Sequence, residues 1–151
     1  MVDPDDRGGG GLETTAWNED GEATIEAAGG DLRSVLEGGL RAALLLALGP
    51  TSAPAASGRS APVRGEGDDA AALFVDLLQD LLEQIAEFGG GLDDVTMHGV
   101  LRREGGGYVG WGYVTGTLDP APVGVAPRLA GWPTISENDR DGVVLRASLI
   151  R

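Results

Sequence analysis

Apolar side chains are spaced in two ways along the chain, and each spacing marks a type of element. Leu32, Val35, Leu36, Leu40, Ala43, Leu44 and Ala47 recur three and four residues apart, which lines one face of an α-helix. Arg33, Glu37 and Arg41 make an i, i+4 ladder on its outer side. Asp31 is placed to cap the start and Gly49-Pro50 to stop it. The run "GDDAAALFVDLLQDLLEQIAEF" repeats the pattern through Leu73, Leu77, Leu78, Leu81, Leu82 and Ile85, with Asp68 or Asp69 as cap and Gly89-Gly90-Gly91 as terminator. Gly38-Gly39 interrupts the first helix at about 1 kcal/mol per residue relative to alanine. The pair predicts either close approach of a neighbouring helix or tolerance of a glycine-rich composition.

Elsewhere the period is two. A strand is predicted over 23–28, and a hairpin over 95–103 and 108–118 joined by Glu104-Gly105-Gly106-Gly107. A short strand follows around 128–132, and the alternation of "DGVVLRASLIR" predicts a C-terminal strand. "TSAPAASGRSAP" has no apolar period and reads as a loop, with room for a short edge strand near Val63. Residues 1–11, rich in Asp and Gly, read as a disordered tail or the residue of a processed leader. Helices and strands in this irregular order predict one α+β domain over 12–151, two main helices packed on a mixed or antiparallel β-sheet.

Composition narrows the function. With 24 acidic residues against 11 Arg and no Lys, the net charge is −13, so phosphate backbones are repelled and direct nucleic-acid binding through a basic face is not expected. Cys is absent, which removes disulfides and thiolate chemistry. The N-terminus lacks a basic then apolar leader, and "LRAALLLALG" is too short to span a bilayer. A soluble cytoplasmic protein is expected.

Candidate chemistry is sparse. In "LETTAWNEDGE", Glu19, Asp20 and Glu22 read either as a cation site or as a solvated turn. Trp17 beside them reads either as a partner-binding anchor or as a cap on the core edge. His98 is the one imidazole, placed by alternation on a face with Thr96 and Val100. Asp93-Asp94 and the acidic run Glu137, Asp139, Asp141 read as turn formers, and no carboxylate pair is segregated into an apolar setting for acid–base work. "EGGGYVGWGYV" lacks the strand-to-helix transition of a phosphate cradle. Tyr108, Trp111 and Tyr113 read as strand packing, with Gly110 and Gly112 making room and a bulge at Gly110 able to change the phase.

The run "GDDAAALFVDLLQDLL" resembles the Gly-acid-acid, aliphatic, Val-Asp-aromatic helix of archease proteins. The order continues with the Gly-turn hairpin, then "LDP" at 118–120 where archeases have aromatic-Asp-Pro. "IEAAGGDLRSVLEGGLRAAL" is similar to the family's first strand, turn and helix. The resemblance covers most of 12–151, in pattern and order more than in identities.

It implies an archease-like α+β fold and a non-catalytic accessory protein of tRNA splicing, which promotes guanylylation and turnover of a GTP-dependent RNA ligase. The family's metal site uses an Asp in a His-Thr-Ala-Asp motif, an Asp next to the chain end and the terminal carboxylate, since a hard cation such as calcium or magnesium needs several oxygens. Here "LETTA" puts Thr14 at the His and Trp17 at the Asp. Setting register by the strand instead puts Glu22 there, with Asp20 close by. Ile150 stands at the penultimate acidic position, leaving the terminal carboxylate of Arg151. The family's Lys motif is matched by "RLAGWPTI", with Arg128 at the Lys, Trp132 at the Tyr and Pro133 at the His. The expected metal set is therefore Glu22, Asp20 and the Arg151 carboxylate, and the expected partner contacts are Trp17, Arg128 and Trp132. The alternative is an interaction module on the same scaffold with no role in ligation.

Overall fold

A computed structural model describes residues 17–49, 59–88, 91–116, 127–138 and 142–151. The predicted tail over 1–11, the "LETTA" motif, the "LDP" segment, Asp139 and Asp141 lie outside the described residues. The fold is α+β, in the order β1 (Glu22–Gly29), α1 (Leu32–Leu48), β2 (Arg59–Gly67), α2 (Ala70–Phe88), β3 (Leu92–Arg102), β4 (Tyr108–Gly116), β5 (Arg128–Leu129), β6 (Thr134–Asn138) and β7 (Gly142–Ile150). All strand pairs are antiparallel, in two sheets.

In the four-stranded sheet β7 is central, with β1 on one side and both β5 and β6 on the other. Ala23, Ile25 and Ala27 of β1 and Val143, Leu145, Ala147 and Leu149 of β7 are buried, so alternate residues face the helices as a period of two requires. The three-stranded sheet runs β2-β4-β3. α1 packs on β1, β7 and β3, α2 packs on β2 and β4, and the helices touch each other. One aliphatic core results, with Phe74 as its largest ring.

Both helices carry the expected apolar faces. Asp31 caps α1, its carboxylate accepting from Ser34 N at 2.8 Å. Asp69 caps α2, accepting from Ala72 N at 2.8 Å. The Asp31 carboxyl lies below the usual range because it accepts these hydrogen bonds from Ser34. A lowered folded-state pKa means that this stabilisation is present above the ordinary value of 3.8 and is lost as pH falls through the folded value. Asp31→Ala is expected to cost about 1 kcal/mol at neutral pH, and Asp31→Asn to keep most of the cap without its acid sensitivity. Urea denaturation at pH 7 and pH 3 checks both.

Gly39 answers the question its sequence raised. A Cβ there would lie 2.9 Å from Phe74 Cε1 and 3.2 Å from Leu145 Cδ2, so α2 and β7 do approach closely; Gly38 rests instead on Ala27 of β1.

Several expectations need correction. The Arg33, Glu37, Arg41 ladder does not face open solvent. Glu37 accepts from Met97 N at 2.9 Å, Arg33 donates to Met97 O at 3.1 Å, and Arg41 donates to Val95 O at 3.0 Å and pairs with Asp94 at 2.9 Å. These are groups of β3, an outer strand of its sheet. The 51–62 loop gives way at Arg59 to a nine-residue strand, β2, on the opposite outer position. Its edge is covered in the same manner: Asp80 accepts from Arg64 N and Asp76 from Glu66 N, each at 2.9 Å, while Gln84 donates to Pro62 O at 3.3 Å. Pro62, lacking an N–H, suits such an edge. Each flank of the sheet is thus closed by polar side chains one helical turn apart.

Asp93 and Asp94 lie inside β3, where Asp93 accepts from the Thr115 hydroxyl at 2.9 Å, and Glu137 lies in β6. The register shifts fall on β3, between Leu92 and Asp94 and between Met97 and Gly99, and not at Gly110, whose strand pairs with β2 without interruption. The second of these extrudes His98 and turns Val100 toward the core, so the two do not share a face.

Candidate functional site

The two distant ends of the described chain meet at one end of the four-stranded sheet. Glu22 is paired across to Ile150 of β7, and Arg128 of β5 is paired to the same residue from the other side. Two strand spacings separate Glu22 from Arg128, about 10 Å between Cα atoms. Both side chains are exposed, on the sheet face opposite the helices, as are Thr24 and Ser148, which are also paired. A cleft of about 580 Å³ opens there, lined by Asn18, Glu22, Thr24, Ala130 and Ser148 among others.

The turn before β1 is built by Asn18. Its Oδ1 accepts from Asp20 N at 2.8 Å and Glu22 N at 2.9 Å, while Gly21 N donates to Asn18 O at 3.0 Å and Asn18 N to Glu22 O at 2.8 Å. An Asn whose side chain receives the amide two residues on makes an Asx turn. The stretch around Asp20 is therefore an ordered turn that ends by presenting Glu22. Arg151 N donates to Gly21 O at 2.9 Å, which fixes the Arg151 backbone beside this turn.

Trp17 is half-buried against the core, and its Nε1 donates to Leu46 O at 2.9 Å. The Arg151 guanidinium covers the ring, 5.5 Å from its centroid. Both the polar end and one face of the indole are thus engaged within the chain. Trp132, in the bend between β5 and β6, is the most open large apolar side chain among the described residues, at 66% exposure.

The geometry brings Glu22, Arg128 and Arg151 together and places Trp132 on the same connection as Arg128. Asp20 belongs to the turn. Among the described residues no group of three or more His, Asp or Glu side chains could hold a metal ion. Glu22 and the Arg151 carboxylate supply fewer donors than the six to eight oxygens calcium takes, and the Arg151 guanidinium lies beside the same turn. Among the described residues, these donors fall short of the set that a resident calcium ion takes.

Sequence reading missed Asn18 as the turn builder, although Asn18-Glu19-Asp20-Gly21 is rich in turn formers. It also missed Thr24 and Ser148, which become neighbours only through the pairing of β1 with β7. Among the described residues no helix is long and apolar enough to cross a membrane. No family model, curated protein or solved structure matches the chain.

Proposed function

We propose that this chain is an archease-like, non-catalytic accessory protein that binds an RNA ligase and promotes its guanylylation and turnover. One observation carries the reading. Glu22, Arg128 and Arg151 are far apart in sequence, yet they flank the last residues of one strand. These are the positions that the resemblance aligns with the family's acidic, basic and chain-end functional groups. A shared surface patch is what a partner-binding role requires, and an exposed Trp beside an Arg supplies the side-chain types that dominate such contacts. In this reading binding runs through Arg128, Trp132 and Glu22 without a resident cation.

The test is guanylylation of the GTP-dependent RNA ligase from the same host, with and without this protein. The wild-type chain is expected to raise both rate and turnover. Arg128→Glu combined with Trp132→Ala is expected to lower the effect at least tenfold, the loss of about 1.4 kcal/mol of binding, with an unchanged melting temperature. Calorimetric titration with calcium is expected to give no binding heat. An unstimulated ligase would overturn the proposal and favour the interaction module without a ligation role.

A further inference from the structure

Two opposite charges stand in one row on the outer face of the four-stranded sheet and are too far apart to pair. Glu22 of β1 and Arg128 of β5 both lie opposite Ile150 of β7, so their Cα atoms are about 10 Å apart with an aliphatic residue between them. Both are exposed. Among the described residues, neither the Glu22 carboxylate nor the Arg128 guanidinium has an ion pair or hydrogen bond. Four residues along β1 the same sheet shows the contrast: Glu26 and Arg146 are direct neighbours and do pair.

Beside this open pair lies the cleft of about 580 Å³. Its floor is a row of short side chains, with Thr24 paired to Ser148 and Ala130 N donating to Ser148 O at 2.8 Å. Trp132, two residues beyond Ala130, continues the surface into the bend after β5. The charge order across the cleft is fixed. Glu19 and Asp20, exposed on the turn before β1, reinforce the negative sign on the Glu22 side, while the Arg151 guanidinium is held over the Trp17 ring. Charges beyond about 8 Å are largely screened at physiological ionic strength, so each end of the cleft is governed by its own group.

A partner of one sign, a nucleic acid included, is matched at one end and repelled at the other. A second copy could cross Glu22 with Arg128 in both directions, but it would bring another net charge of −13 onto a face whose outward residues are mainly polar, where dimer cores are apolar. We infer that the ligase segment seated in this cleft is bipolar, with a Lys or Arg side chain on Glu22 and an Asp or Glu side chain on Arg128; this rests on the accessory role proposed above. An extended backbone crossing Ser148 would carry the two groups about two to four residues apart.

Calorimetric affinity of the whole chain for the GTP-dependent RNA ligase of the same host tests the order of charges. Glu22→Arg and Arg128→Glu move the net charge in opposite directions, so a partner of one sign would bind one variant more tightly and the other less. Both variants are expected instead to bind at least tenfold more weakly, with unchanged melting temperatures. Because the chain has no Cys, Ser148→Cys accepts a single benzophenone, and the ligase peptide it captures is expected to carry a base and an acid at that separation. Reversing that base to Glu in the ligase should restore binding to Glu22→Arg. Tighter or unchanged binding by either variant, or capture of a peptide lacking one of the two charges, would overturn the inference and leave the ligase reading in place. A ligase that does not bind the wild-type chain would overturn both. Self-association that Arg128→Glu abolishes and the exchange of Glu22→Arg with Arg128→Glu restores would overturn it in favour of a second copy.

Discussion

Phe74→Ala is expected to lower stability by about 4 kcal/mol. The ring is fully buried and touches the glycine that lets α1 approach α2. Truncation would remove its transfer free energy and leave a cavity walled by α1 and β7, which cannot close without moving a helix against a sheet. A paired substitution makes the contact measurable. Gly39→Ala alone gains about 1 kcal/mol of helix propensity, but it presses a methyl group onto Phe74 and should come out net destabilising by about 1 kcal/mol. In the Phe74→Ala background the obstruction is absent, and the same change should stabilise. Guanidinium denaturation of the four proteins is expected to give a coupling of about 2 kcal/mol. Additive costs would mean that the two residues do not share the space.

Asp76→Ala with Asp80→Ala is expected to cost about 2 kcal/mol and to make the protein self-associate. The two carboxylates accept the outward N–H groups of Glu66 and Arg64. Without them β2 presents a bare edge to a second chain. The corresponding Asn pair keeps an acceptor at each position and should retain the wild-type sedimentation behaviour. Equal sedimentation and equal melting temperatures for the Ala pair and the wild type would show that the carboxylates do not guard the edge.

These two effects also mark where local sequence is informative. α1 and α2 were legible because a single period runs through seventeen and nineteen residues. β2 was not, because its inward positions include Gly65 and Gly67, where a Cβ would strike α2 at 2.7 and 2.4 Å. Glycines placed for a helix erase the alternation that announces a strand. β6 was obscured for another reason: Ile135 is its only apolar residue, and the residues around it favour turns. At the candidate site, the strand register singled out Glu22, and a family pattern pointed to Arg128. Their meeting at Ile150 depends on which strands pair, and no spacing along the chain encodes that.

The position of β7 bears on how the protein is made. It is the last described strand in sequence, yet it lies in the middle of its sheet and is the partner of β1, β5 and β6. The three-stranded sheet is complete in sequence by Gly116, so it can assemble with α2 while later residues are still being translated. β1, made well before β7, must wait for residues 142–150 before it gains its strand partner. Loop closure over that distance is slow relative to local pairing. Synthesis therefore divides the fold in time, with one sheet formed early and the other, which carries the candidate site, closing last.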